Sequence, residues 1–266
     1  MTVQHLAALG SSFAAGPGIQ PLEDRVAGRS RRNYPHLLAE RLGARLTDLT
    51  VSGATTATIL DTPQRILLRR YPPQLAGLPV DADLVTLTAG GNDLGYISGM
   101  TTAAWGSWFR THAQAGVRAR LGNRRSSPQQ APAMPTEADV ERAAAGLVRI
   151  VDAVRRRAPR AEVVLVDYLT VLGPSTVPSE QAPFATAAIA AFRATGERLA
   201  EAFATASERT GAQLVQVSAL SIEHAVGSAE PWANGFSVGF GSPTPFHPNA
   251  DGMRAVADAV VGHLGL

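Results

Sequence analysis

The chain contains no cysteine in 266 residues, and charged side chains make up only 17% of it. The missing cysteine excludes a disulfide framework, thiolate metal sites and a cysteine nucleophile, but leaves the compartment open. Long apolar runs are absent as well. No stretch reaches the roughly 18 consecutive apolar residues a membrane-crossing helix needs, so no stable membrane insertion is expected. The first apolar segment begins within a few residues of Met1, with no basic and then long apolar leader before it. A cytoplasmic location is therefore expected unless a leader has been removed. Neither an internal repeat nor a low-complexity tail is visible. The six histidines and the acids show no spacing typical of a zinc or calcium site, and no metal or cofactor is implied.

Charge of one sign is also scarce, the formal net charge being +2. The densest basic groups are Arg29, Arg31 and Arg32, then Arg69 and Arg70, then Arg155, Arg156 and Arg157. None is interleaved with aromatics as a stacking platform would be, so they read as solvated faces and nucleic acid is not expected as a partner. The length and the 45% hydrophobic content suit one domain over 1–266 with a sizeable core.

What is present alternates. Leu6-Ala7-Ala8-Leu9 is a short apolar run that breaks into Gly10-Ser11-Ser12 and reads as a buried strand. Residues 34–42, closed by Gly43, read as a short helix, and 45–51 as a second strand running into Ser52-Gly53. Residues 59–69 read as a helix, and 84–88 as a third strand ending in Ala89-Gly90-Gly91-Asn92-Asp93. Residues 98–135 contain Trp105, Trp108 and Phe109 and then the polar run Gly122-Asn123-Arg124-Arg125; they read as an insertion or cap, with a helix docked on the core as the plainer alternative. Thr136 three residues before Asp139 opens a helix ending before Pro159. A strand over 162–166, an alanine-rich helix ending near Gly211, a strand over 213–217, a long loop and a helix over 249–264 complete the chain. Strands alternating with helices predict a parallel sheet covered on both faces, with polar chemistry at the carboxyl ends of its strands.

Those ends carry Ser12, Gly53 and Asn92, and His247 precedes the last helix. A hydroxyl nucleophile needs a base within hydrogen-bond reach and donors aimed at the developing oxyanion, and these four residue types can supply both. Taken singly, each has an ordinary reading: Ser12 and the glycines as turn formers, Asn92-Asp93 as a helix cap, His247 as a neighbour of the last helix.

Together, Gly10-Ser11-Ser12, Ser52-Gly53, Gly90-Gly91-Asn92-Asp93 and His247-Pro248-Asn249 resemble the four blocks of the SGNH (GDSL-type) hydrolases, in order and across nearly the whole chain. The resemblance implies a flavodoxin-like three-layer α/β/α sandwich with a sheet of about five parallel strands. It also implies metal-free hydrolysis of a small-molecule carboxylic ester. By matching positions, Ser12 is nucleophile and one oxyanion donor, Gly53 and Asn92 are the other donors, and His247 is the base. Two departures stand out. Ser11 occupies the place of the block's usual aspartate, which is not the acid of the triad. Thr244 occupies the place of the triad acid, so a backbone carbonyl in Ser242-Pro243-Thr244-Pro245, assigned to Thr244, is expected to orient His247 in a dyad.

Three other features compete. Gly235-Phe236-Ser237-Val238-Gly239 matches a nucleophile elbow but lacks the strand before and the helix after it. Gly16-Pro17-Gly18 lacks the third glycine of a dinucleotide fingerprint. His224 beside Glu223 is a rival base ranked below His247. Apolar Ile97, Phe236 and Phe240, together with the candidate substrate contacts Phe13, Trp232 and Phe246, favour an acyl or aryl ester. An O-deacetylase or transacylase acting on a carbohydrate or natural product, and a non-catalytic binding protein on the same fold, are the alternatives.

Overall fold

The computed structural model describes residues 2–121, 132–239 and 241–265. In chain order its elements begin with β1 (His5–Gly10), α1 (Ser12–Ala15), β2 (Leu22–Asp24), β3 (Arg29–Ser30), α2 (Tyr34–Leu42), β4 (Arg45–Asp48) and α3 (Thr56–Leu60). There follow β5 (Gln64–Ile66), β6 (Arg69–Tyr71), β7 (Leu84–Thr88), α4 (Tyr96–Leu121), α5 (Glu137–Arg157), β8 (Glu162–Val166), α6 (Thr186–Thr210), β9 (Gln213–Val215), α7 (Val217–Leu220) and α8 (Ala250–Leu264).

Leu6, Ala7, Ala8 and Leu9 are closed to solvent, as are Leu84, Val85 and Leu87. A run with no polar face belongs in the middle of a sheet covered on both sides. Accordingly β1 and β7 pair in parallel, from Leu6 opposite Leu84 to Gly10 opposite Thr88. β4 joins the free edge of β1, and β8 and β9 extend the sheet beyond β7, giving the all-parallel order β4-β1-β7-β8-β9. In strand order this is 2-1-3-4-5, the flavodoxin-like winding that leaves a crevice at the carboxyl ends where the order reverses. Helices α2 and α8 pack together on one face, and α3, α5 and α6 form the layer on the other. No described helix is long and apolar enough to cross a membrane.

Local signals explain the boundaries. Asn33 caps α2 by accepting from the His36 N–H, and Gly43 ends that helix in a left-handed turn. Thr136 and Asp139 form a reciprocal capping box at the start of α5. The helix expected over 59–69 is corrected: α3 stops at Leu60, and Gln64–Ile66 and Arg69–Tyr71 form an antiparallel hairpin. Pro63 has no N–H to continue the helix and disfavours helical geometry at Thr62. The consecutive Ile66, Leu67 and Leu68 also cannot share one helix face.

The 98–135 span begins as helix. Tyr96, Ile97, Met100 and Ala104 of α4 are buried in the main core, with Trp105 and Trp108 packed against it. The polar run at Gly122-Asn123-Arg124-Arg125 lies outside the described residues, as does Phe240.

Candidate active site

β1 delivers its carboxyl end into a turn with no room for a side chain. A Cβ on Gly10 would lie 2.6 Å from the Thr88 carbonyl oxygen, which accepts the Ser11 N–H. The Gly10 peptide is gripped from its other side by buried Gln74, which accepts the Gly10 N–H at 2.8 Å and donates to the Gly10 carbonyl at 2.9 Å. Ser12 is the first residue of α1, only 7% exposed. The first N–H groups of a helix have no partner within it, so the Ser12 N–H is available to a ligand oxygen.

β4 and β7 flank β1 in the sheet, so the turns that follow them lie on either side of the Ser12 turn. After β4, Gly53 adopts φ +79°, a left-handed conformation that a side chain would strain. The turn is tied down by the Ser52 N–H on the Ala27 carbonyl and by Gln64 Nε2 donating to the Ser52 carbonyl at 2.7 Å. After β7, Asn92 donates through Nδ2 to the Ala54 carbonyl at 2.8 Å, which fastens its amide beside the Gly53 turn. Asp93 accepts from the Thr56 N–H and hydroxyl and holds the first turn of α3, whose own N-cap is Thr55. Among the described residues, the N–H groups of Ser12 and Gly53 meet no acceptor.

His247 enters from the long loop before α8. Phe246 beside it has φ +59°, rare for a non-glycine residue, and is wholly buried. Its N–H donates to the Asn234 carbonyl, and the Asn234 N–H returns to the His247 carbonyl. Packing on Phe184 and Phe236 fills the remainder of its surroundings. This anchored turn places His247 Nε2 2.9 Å from Ser12 Oγ and Nδ1 2.8 Å from the Pro245 carbonyl oxygen. A carbonyl only accepts, so Nδ1 carries the proton and Nε2 is left with a lone pair facing the serine hydroxyl. Burial drives the His247 imidazole down to about 4, against the Pro245 carbonyl, which favours the charged ring.

The carbonyl on His247 thus belongs to Pro245, and the assignment to Thr244 is corrected. The Thr244 carbonyl accepts from Asn234 Nδ2 instead, and a ring two residues away in a tight turn reaches Pro245. Among the described residues no carboxylate bonds the His247 ring. Buried Asp167 accepts from the Ser218 N–H and hydroxyl, and burial raises its carboxyl to about 6.

A buried tyrosine ties the serine turn to the asparagine loop. Tyr168, just past β8, makes a 2.8 Å bond with Ser11 Oγ and accepts the Gly91 N–H at 3.2 Å. Its ring lies 4.4 Å from that of Phe13, which is in turn 5.8 Å from the His247 ring. Phe13 and Phe246 are 3% and 0% exposed, so these candidate substrate contacts serve as packing behind the histidine. Trp232 is stacked on His224 at 3.8 Å, against α8 rather than beside Ser12. That stack, with His224 Nδ1 bonded to the Glu230 carbonyl, occupies the rival base elsewhere. Gly235 to Gly239 is an irregular loop with no strand before it or helix after it.

The sequence does not single out Gln74, Gln64 or Tyr168, and it offers Pro245 only as one of the 242–245 carbonyls. Tyr168 alone had a usable signal, its place at a strand's carboxyl end. One oxygen or nitrogen each from Glu23, His36 and Asp48 falls within 4.8 Å. Asp48 there already accepts from Thr50 and Asn33 and pairs with Arg29, so the group acts as a brace between α2 and β4.

Known proteins resemble this chain in sequence and in fold. The model of the GDSL-like lipase/acylhydrolase family matches residues 8–255. Lipase 2 of Streptomyces coelicolor is 33% identical over 273 residues, covering 97% of this chain and 85% of that protein. Two solved structures share the fold. Phospholipase A1 from Streptomyces albidoflavus NA297 has a TM-score of 0.69 at 22% identity, over 99% of this chain and 98% of its own. The extracellular lipase from Streptomyces rimosus has a TM-score of 0.67 at 24% identity, over 98% and 99%. With the family match running across most of its length and a relative one-third identical over nearly all of it, this chain belongs to the GDSL-like lipase/acylhydrolase family and is a carboxylic ester hydrolase of the serine type.

Proposed function

We propose that Ser12 and His247 are the catalytic dyad of this esterase, with the N–H groups of Ser12 and Gly53 and the amide of Asn92 as its oxyanion hole. The 2.9 Å contact between Ser12 Oγ and His247 Nε2 carries this reading. His247 Nε2 takes the hydroxyl proton as Ser12 Oγ attacks the ester carbonyl, and the three donors receive the negative oxygen. His247 then protonates the departing alcohol, leaving an acyl-serine. Water attacks the acyl carbon while His247 accepts its proton, and collapse releases the acid and restores the Ser12 hydroxyl. The Pro245 carbonyl does the orienting work of a triad acid, holding the ring in the tautomer that leaves Nε2 free.

The test is labelling by a fluorophosphonate, which reacts only with an activated serine. One label per chain, on Ser12, is expected, and labelling elsewhere or none would reject the assignment. The pH dependence follows from the lowered histidine. A base works when neutral, and a pKa displaced below 6.5 keeps it neutral to lower pH. The acid limb of labelling rate and of kcat/KM should therefore fall well below 6.5, towards about 4. A limb centred at 6.5 or above would contradict the buried, carbonyl-held ring.

Acyl esters of some length are the proposed substrates. A groove of about 790 Å³ between α4 and two loops is lined by Trp108, His112, Pro183, Phe236 and Val238. Phe236 links it to the site, packing on Trp105 and on Phe246, the neighbour of His247. The similar proteins named lipases and phospholipase A1 agree with such a substrate. Aryl esters of medium acyl length should be hydrolysed faster than the acetate. Trp108→Ala should lower kcat/KM for the longer esters by on the order of tenfold while leaving the acetate nearly unchanged, since Trp108 lines the groove and is only partly buried. Equal loss on both would take the groove out of acyl recognition.

A further inference from the structure

The β5–β6 hairpin carries Leu67 and Leu68 at its turn, 90% and 106% exposed. A two-residue hairpin turn ordinarily takes Gly, Asn or Asp, because one or both positions need positive φ. Here Leu67 itself sits at φ +54°. A β-branch-free but bulky side chain in that conformation is unfavourable, and neither leucine gains burial for it. The hairpin beneath is firmly seated. Tyr71 is buried and donates its hydroxyl to Asp24, while the Arg69 guanidinium covers the Tyr71 ring at 4.9 Å and pairs with Asp24 at 3.1 Å. The exposed leucines are thus held out from the body on a braced support.

Their setting is cationic. Arg65, Arg69 and Arg70 are exposed on the same hairpin, and the segment between Asp61 and Asp81 contains no acid. Asp24 takes up Arg69, and among the described residues Arg65 and Arg70 have no carboxylate partner. Two apolar tips flanked by free guanidinium groups complement a surface that is apolar inside and anionic at its face. The hairpin also begins beside the proposed oxyanion hole, since Gln64 binds the Ser52 carbonyl and lies next to Gly53. Leu67 lies three residues beyond Gln64, a distance of roughly 10 Å along the strand.

The geometry points to the β5–β6 hairpin as a docking element for an anionic phospholipid surface, with Leu67 and Leu68 entering the acyl region, Arg65 and Arg70 meeting the phosphates, and the Ser12 crevice brought to the interface. This goes beyond the esterase reading and does not depend on Ser12 being the nucleophile. It is tested by sedimentation with vesicles of phosphatidylcholine alone and of phosphatidylcholine mixed with phosphatidylglycerol, using full-length Ser12→Ala protein so that lipid is not consumed. Binding to the mixed vesicles is expected, weakened by salt, with much less binding to the neutral ones. Leu67→Ser with Leu68→Ser should lower partition by on the order of tenfold or more. Arg65→Gln with Arg70→Gln should abolish most of the preference for the anionic vesicles. In otherwise wild-type protein, both pairs should leave hydrolysis of a soluble short-chain ester unchanged, which shows that the fold is intact. Unchanged partition of the leucine pair, equal binding to both vesicle types, or no binding at all would overturn the proposal. A dimer in solution that the leucine pair dissociates would assign the tip to a second copy of this chain instead.

Discussion

Ser12→Ala should reduce kcat for a soluble aryl ester by on the order of 10⁶-fold, with the folded protein and its melting temperature little altered. The hydroxyl is the only atom removed, and its bond to His247 Nε2 is the only side-chain bond it makes among the described residues. The Gly10 peptide is held by Gln74 and Thr88, and Ser11 by Tyr168, so the turn keeps its shape without Oγ. What remains is water attacking a carbonyl polarised by the same donors, which supports a residual of roughly 10³–10⁴-fold over the uncatalysed reaction. Substrate binding should persist, giving a KM or inhibitor Kd near the wild-type value. Retention of more than a few per cent of wild-type turnover would remove Ser12 from the nucleophile's role.

His247→Ala should cost nearly as much, on the order of 10⁴-fold or more in kcat, because an unassisted hydroxyl is a poor nucleophile at neutral pH. The two residues act as one unit, so the double variant with Ser12→Ala should be no slower than the slower single one. A further loss in the double variant would mean that the two side chains act separately. The truncation leaves a space bounded by Phe13 and the Pro245 carbonyl. Imidazole added to His247→Ala should enter that space and restore part of the activity. No rescue together with an altered fold would assign His247 a structural role. Full activity without His247 would return attention to His224, although that ring is stacked on Trp232.

Among the described residues no acid holds the His247 ring, and this has a physical consequence in both experiments. A carboxylate beside the ring would stabilise the imidazolium that forms in the transition state and raise the histidine. The Pro245 carbonyl offers a dipole alone, and burial leaves the ring well below its ordinary value. A base of this kind stays neutral in mildly acidic solution, at the expense of proton-accepting strength.

Much of this was open to reading from residue order. β1, β7 and β8 needed only short apolar runs ending at glycine or polar turns, and α2, α5, α6 and α8 needed only caps, stops and helical spacing. Ser12, Gly53, Asn92 and His247 were identifiable because they follow strand ends or precede the last helix in the order of a known set of blocks. Over 59–69 the apolar content points to a helix and outweighs the signal from Pro63, after which the chain forms a hairpin. Hydrophobicity near a motif points to Phe13, Trp232 and Phe246 as substrate contacts but does not say which way a side chain faces. Two of them are buried behind His247 and the third stacks on His224.

The sequence by itself determined the alternation of strand and helix and the family, and pointed to the four residues proposed for the crevice, since each depends on local spacing or motif order. Tertiary structure decided what joins them. The carbonyl of Pro245, the grip of Gln74 on Gly10, the link from Tyr168 to Ser11 and Gly91, and the hairpin that lifts Leu67 and Leu68 into solvent all depend on segments far apart in the chain or on backbone dihedrals. A backbone carbonyl carries no mark of residue type, so nothing in the letters distinguishes Pro245 from Thr244. Only the turn at Phe246, held by Asn234 and its aromatic neighbours, settles which oxygen the histidine meets.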